Sequence, residues 1–153
     1  MLAPHARGTT PGIGAHVTLA IPFPPDLTPA GEELLAEIAG YAEPWPVELP
    51  AADWFREPGH PAVLWLRPEP VERFDELAQA IATVFDWPLY GDAGERVWVP
   101  HVTVAVGTDL EALRAAETAL AEQLPLRAQA AELTLVRVVA GTASTVRAWA
   151  FGG

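Results

Sequence analysis

The sequence lacks cysteine entirely, which removes several classes of chemistry at once. Without cysteine there is no disulfide, no thiolate nucleophile and no cysteine-ligated metal or iron–sulfur site. No apolar stretch reaches the length that spans a bilayer, and the first residues lack the charged-then-apolar profile of a secretory signal. We therefore expect a cytoplasmic protein that does not contact a membrane.

Lysine is absent as well, so the nine basic residues are all arginines, and they face 20 acidic residues. The resulting net charge of −11 opposes the binding of long nucleic acids, which depends on many contacts between basic side chains and phosphates. A small phosphorylated ligand is still compatible with this charge, because a few local donors can hold one phosphate. The expected partner is a small nucleotide or a short RNA end.

Two common sequence signatures of active sites are also missing. Gly12-Ile13-Gly14 neither follows a strand nor opens a helix, so it is not a glycine-rich phosphate loop. No serine sits in the strand-to-helix pattern of a nucleophile elbow. Phosphate binding or catalysis by this chain therefore has to use other side chains.

A six-residue pattern that occurs twice supplies those side chains. Residues 16–21 read His-Val-Thr-Leu-Ala-Ile, and residues 101–106 read His-Val-Thr-Val-Ala-Val. In each copy apolar residues alternate with the histidine and threonine, which is typical of a strand with one buried face. A core explains the Val/Leu/Ile face but not the repeated polar face. The polar residues are His16, Thr18, His101 and Thr103.

The rest of the chain repeats in the same order, which indicates a duplicated unit over residues 1–153. Each half predicts a motif strand, an amphipathic helix and further strands, with halves at about 13–67 and 98–151. A linking helix is predicted at 71–86, and residues 1–12 are expected to be mobile. The predicted helix starts are a Thr28 cap and a capping box that begins at Thr108.

These elements predict an α+β fold of two pseudo-symmetric lobes, with antiparallel sheets around a central cleft and helices packed outside. Symmetry-related motif strands would then lie side by side or face each other across the cleft. Either arrangement brings His16 and His101 together.

Two histidines at one site suit the displacement of a group at phosphorus. One imidazole can accept a proton from the attacking oxygen while the other protonates the leaving oxygen. Thr18 and Thr103 can donate hydrogen bonds to the non-bridging oxygens. Metal binding is disfavoured, because no third histidine and no carboxylate accompanies either motif. No cofactor is expected.

The paired motifs resemble those of the two-histidine (2H) phosphoesterase superfamily, in particular proteins described as 2′-5′ RNA ligases or RNA 2′,3′-cyclic phosphodiesterases. The resemblance covers nearly the whole chain after residue 13. It implies that His16 and His101 are catalytic, that Thr18 and Thr103 bind phosphate, and that the enzyme hydrolyses 2′,3′-cyclic or 2′-5′-linked phosphodiesters without a metal. A monomer or a weak dimer is expected.

Three questions remain open, on the function, on the roles of the two histidines and on four further residues. The same residues would suit a nucleotide-binding module without turnover, and the acidic surface permits a structural or regulatory partner protein. Sequence symmetry does not reveal which histidine is the acid and which is the base. A group of other residues either lines a nucleotide pocket or belongs to the core and surface, namely Phe23, Tyr90, Arg96 and Trp98.

Overall fold

The computed structural model describes residues 12–21, 23, 27–87 and 98–153. Within these ranges the helices are α1 (Pro29–Tyr41), α2 (Val71–Phe85) and α3 (Leu110–Ala121). The strands are β1 (Trp45–Leu49), β2 (Ala52–Phe55), β3 (Ala62–Leu66), β4 (Val102–Gly107), β5 (Leu126–Ala130), β6 (Glu132–Val139) and β7 (Thr142–Ala150). The predicted α+β class is confirmed. The segment predicted to be mobile, 1–12, lies outside the described residues except for Gly12.

The helix starts follow local capping chemistry. Thr28 caps α1 as predicted, and its hydroxyl accepts the backbone N–H of Gly31 at 3.2 Å. The prediction that α3 is capped from Thr108 was wrong, because Asp109 occupies the cap. One Asp109 carboxylate oxygen accepts two backbone N–H groups at 3.1 Å each, and its negative charge suits the positive end of the helix. None of the described helices is long and apolar enough to cross a membrane.

Among the described residues the strands form three antiparallel sheets. Strand β3 lies between β2 and β4, β6 pairs with β7, and β1 pairs with β5. The β1–β5 pair joins the two halves of the chain, with Trp45 opposite Ala130 and Leu49 opposite Leu126. A second connection between the halves is made by β4, which carries the second motif and pairs with β3 from the first half.

Two strand predictions need correction. The first motif does not form a regular strand: it has a single bridge at Val17, between a glycine-containing segment and a run of prolines that cannot donate to a ladder. The further strands predicted in each half were incomplete, because neither β2 nor β5 was identified from the sequence as a separate strand. Strand β2 reads Ala-Asp-Trp-Phe and all four residues are half-buried, so its sequence shows no alternation.

The main core explains why the motif side chains point away from it. Val17 and Val102 both pack against this core. Because side chains alternate along extended chain, the histidines and threonines on either side of these valines point to the opposite face. Helix α2 contributes four buried residues beneath the sheets: Phe74, Leu77, Ala78 and Ile81.

A smaller core fixes the far end of the second motif strand. Leu113 of α3 is 1% exposed and packs with Ala62 of β3 and Ala105 of β4. Helix α3 is tied to the same sheet by a hydrogen bond of 2.8 Å from Trp54 Nε1 to a carboxylate oxygen of Glu117. The strand that carries His101 is thus positioned by core packing along its length, with the main core at its start and the smaller core at its end.

Candidate active site

The two motifs lie side by side, joined by an antiparallel bridge between Val17 and Val102. Around such a bridge the chains run in opposite directions, so each histidine lies opposite the threonine of the other motif. The crossed pairs are His16 with Thr103 and His101 with Thr18. Because neighbouring strands are about 4.8 Å apart, the bridge brings the four residues named from the sequence onto one face, called here the site face.

Strands β3 and β2 extend the site face. Trp65 of β3 pairs with Thr103 of β4, and Asp53 of β2 pairs with Trp65. Residues that are directly opposite in an antiparallel sheet share a face. The site face therefore continues from the motifs across two further strands.

Both histidine rings are held by the same local hydrogen bond. In each motif the Nδ1 atom lies 2.8 Å from a carbonyl oxygen two residues earlier, that of Gly14 for His16 and that of Val99 for His101. A carbonyl oxygen can only accept, so each Nδ1 carries the hydrogen and donates it. In the neutral form the lone pair is then on Nε2 of each ring, which is the atom that can take or give a proton.

An aromatic pair distinguishes the two histidines. Phe55 and Trp65 stack on each other with ring centroids 4.8 Å apart, and we call this pair the aromatic wall. The His101 ring lies edge-on to both members, with centroid distances of 5.0 Å to Phe55 and 6.0 Å to Trp65. This packing shields the His101 ring from water.

The electrostatic consequence is a lowered pKa for His101. Burial is the largest cause, because an apolar surrounding disfavours the charged imidazolium. The hydrogen bond to the Val99 carbonyl acts in the opposite direction, and the charge of nearby His16 adds a further lowering. Burial prevails, so the aromatic wall favours the neutral form of His101.

The first motif is held in place by an indole from the other half of the chain. Trp98 is 8% exposed and its Nε1 donates to the Thr18 carbonyl oxygen at 3.3 Å. This bond connects the residues just before the second motif to the first motif. Core packing is thus the role of Trp98, and Phe23 packs in the core edge-on to Phe85 and Trp87. Tyr90 and Arg96 lie outside the described residues.

His60 belongs to a different part of the molecule. It lies in the exposed turn between β2 and β3 and lines a shallow cavity of about 420 Å³. This cavity is formed with the end of β4 and the start of α3, away from the aromatic wall. Among the described residues, no group of three or more histidine, aspartate or glutamate side chains is placed to hold a metal ion.

Sequence reasoning missed the aromatic wall as part of the site. Neither Trp65 nor Phe55 was assigned to the site from the sequence. The sequence did carry a signal for Trp65, because the alternation of side chains along a strand places Val63, Trp65 and Arg67 on one face. No comparable signal existed for Phe55, whose strand lacks alternation.

The comparison with known families decides the relationship. The family model described as the 2′-5′ RNA ligase superfamily matches residues 5–142, which includes both motifs and the aromatic wall. This chain belongs to the 2′-5′ RNA ligase superfamily. The resemblance drawn from the two His-x-Thr motifs is therefore confirmed, and membership supports a phosphodiesterase- or ligase-type activity.

A solved structure shows the same fold as this member of the 2′-5′ RNA ligase superfamily. The crystal structure of TT0787 of Thermus thermophilus has a TM-score of 0.62 and 16% sequence identity. The alignment covers 94% of this chain and 82% of that one. A comparison with curated proteins finds no match. The superfamily is thus assigned by the family model, and the fold is supported by the structural comparison.

Proposed function

We propose that this protein hydrolyses 2′,3′-cyclic or 2′-5′-linked nucleotide phosphodiesters by metal-independent acid–base catalysis, with His101 as the base and His16 as the acid. The observation that carries the proposal is the matched pair of Nδ1–H hydrogen bonds at 2.8 Å. Two imidazoles on one face, each with Nε2 as its proton-transfer atom, form a complementary acid and base.

The division of roles follows from the aromatic wall. A general base has to be neutral when the substrate binds, and the wall lowers the pKa of His101 by burial. His101 is therefore the member of the pair that accepts a proton from water. His16 is then the acid, and the Gly14 carbonyl accepts its Nδ1–H in both charge states.

The reaction balances with water as the only co-reactant. His101 Nε2 accepts a proton as the water oxygen forms a bond to phosphorus. The bond between phosphorus and a ribose oxygen breaks, and His16 Nε2 donates a proton to that departing oxygen. The products are a phosphomonoester and a free ribose hydroxyl, and proton exchange with solvent restores both rings. The same steps in reverse join a hydroxyl to a phosphate, but water favours hydrolysis.

The threonines stabilise the charge that develops on the phosphoryl oxygens. Each lies opposite the histidine of the other motif, so a phosphate between the two rings is adjacent to both hydroxyls. Hydroxyl donors on a fixed backbone are oriented before the reaction begins and lose little energy in reorganisation. A single negative charge on the phosphodiester, with the leaving group protonated by His16, requires no cation in this scheme.

The direct test is hydrolysis of adenosine 2′,3′-cyclic phosphate by the wild-type protein in the presence of EDTA. The expected result is formation of adenosine monophosphate at a rate that EDTA does not change. Activity that EDTA abolishes and added Mg²⁺ restores would overturn the metal-independent mechanism. Tight binding of the cyclic nucleotide and of 2′-5′-linked oligonucleotides without any turnover would favour the nucleotide-binding module.

A further inference from the structure

Arg67 is placed on the site face next to His101. In the β3–β4 pairing Trp65 lies opposite Thr103 and Leu66 lies opposite Val102, so the next register position sets Arg67 beside His101. Arg67 follows Trp65 by two residues and therefore points to the same face as the Trp65 ring that contacts His101. Its backbone N–H donates to the Ala51 carbonyl at 3.1 Å, which holds this end of β3 in place.

Asp53 orients the Arg67 guanidinium on that face. One terminal nitrogen of Arg67 lies 3.3 Å from a carboxylate oxygen of Asp53, and the two side chains are 51% and 49% exposed. The other Asp53 oxygen accepts the backbone N–H of Trp54 at 2.7 Å, so the carboxylate is itself fixed. Among the described residues Asp53 is the only hydrogen-bond acceptor of the Arg67 side chain, and an arginine has five N–H donors in a planar fork.

The overall charge makes this position distinctive. With a net charge of −11, the protein needs a local cation wherever it holds more than one anionic group. The other arginines with described side-chain contacts engage residues that lie off the site face. These contacts are Arg56 over Trp54, Arg73 over Trp45, Arg127 with Glu48, and Arg147 with Glu32 and over Trp149.

We propose that Arg67 binds a second phosphate of the substrate, attached to the 5′ oxygen of the ribose whose phosphodiester is hydrolysed. This inference rests on the proposed function. Neighbouring strands are about 4.8 Å apart, so the long Arg67 side chain, on the strand next to that of His101, can extend to a phosphate adjacent to the reacting one. Arginine suits this task because its planar fork matches the oxygens of a phosphate. The preferred substrate is then a 5′-phosphorylated nucleotide or an RNA end.

The test compares three substrates in wild type and Arg67→Gln. They are adenosine 2′,3′-cyclic phosphate with a free 5′ hydroxyl, the same nucleotide with a 5′-phosphate, and an adenylate dinucleotide that ends in a 2′,3′-cyclic phosphate. Wild type is expected to show a KM lower by about tenfold for the substrates with a second phosphate, as for a charged hydrogen bond. Arg67→Gln should erase this difference in KM and leave kcat unchanged. The reason is that the lost contact stabilises the bound substrate and the transition state equally.

Two variants serve as controls. Arg73→Gln removes one positive charge away from the site face and should keep the preference. Asp53→Asn keeps a side-chain oxygen that can accept from Arg67 and orient it, so this variant should also keep the preference. Preference for the 5′-phosphorylated mononucleotide alone would identify a phosphomonoester ligand, whereas preference for the dinucleotide as well would identify RNA ends.

The inference is wrong if wild type shows no preference, or if Arg67→Gln lowers kcat/KM equally for all three substrates. Failure of the proposed function is a separate result, namely the absence of turnover with any substrate. In that case calorimetric titration with the 5′-phosphorylated cyclic nucleotide decides the role of Arg67. Weaker binding to Arg67→Gln than to wild type would support it, and equal binding would overturn it.

Discussion

Replacing either histidine with glutamine is expected to lower kcat on adenosine 2′,3′-cyclic phosphate by roughly 10²–10⁴-fold, the usual contribution of a general acid or base. Glutamine has a polar amide but cannot accept or release a proton near neutral pH. His101→Gln removes the group that activates water, and His16→Gln removes the group that protonates the ribose oxygen. The double variant should be little slower than the slower single variant, because the two groups act as one unit.

The matched control for this prediction is His60→Gln. His60 is exposed in a turn that lines a separate cavity, so its replacement should leave kcat within about twofold of wild type, as expected for a surface change. Circular dichroism would establish that each variant is folded. A folded His101→Gln or His16→Gln protein with near wild-type kcat would contradict the assignment.

Replacing Thr103 with valine is expected to lower kcat by about 10²-fold, as the loss of one preorganised donor to a developing negative charge does. Valine keeps the β-branched shape that suits a strand, so the change removes the hydroxyl and little else. Thr18→Val should have an effect of similar size, because the bridge at Val17 and Val102 gives the two threonines equivalent positions. The measurement is kcat and KM for the same cyclic nucleotide.

Thr145→Val is the corresponding control, since Thr145 is an exposed residue of β7 that pairs with Val136 outside the site. It should leave kcat unchanged within about twofold. If Thr103→Val lowered the melting temperature but not kcat, Thr103 would be a structural residue of β4 and the role in phosphate binding would be wrong.

The position of the candidate site could be predicted from the sequence because its pattern is local. Alternation within six residues sets a histidine and a threonine on one face, and the repeat 85 residues later sets a second pair in an equivalent place. The valines between them pack on the core, so the direction of the polar side chains follows. Each histidine then lies opposite the threonine of the other motif, provided only that the two motifs become antiparallel neighbours.

The difference between the histidines was not accessible, because a duplicated sequence presents both in the same setting. It arises from Phe55 and Trp65, which lie in different strands and meet only through the β2–β3 register. The position of Arg67 next to His101 likewise depends on how β3 pairs with β4. Such contacts are made by tertiary packing, which short-range patterns do not encode.

The pH dependence of kcat/KM, measured with EDTA present, tests the two-histidine mechanism most directly. Two coupled imidazoles predict a bell-shaped profile. Its acid limb reports His101: the rate falls as this base becomes protonated, and because burial lowers the pKa of His101, that limb lies below the ordinary imidazole value of about 6.5. A rate that rises or falls monotonically across this range, or one that requires added metal, would contradict the account.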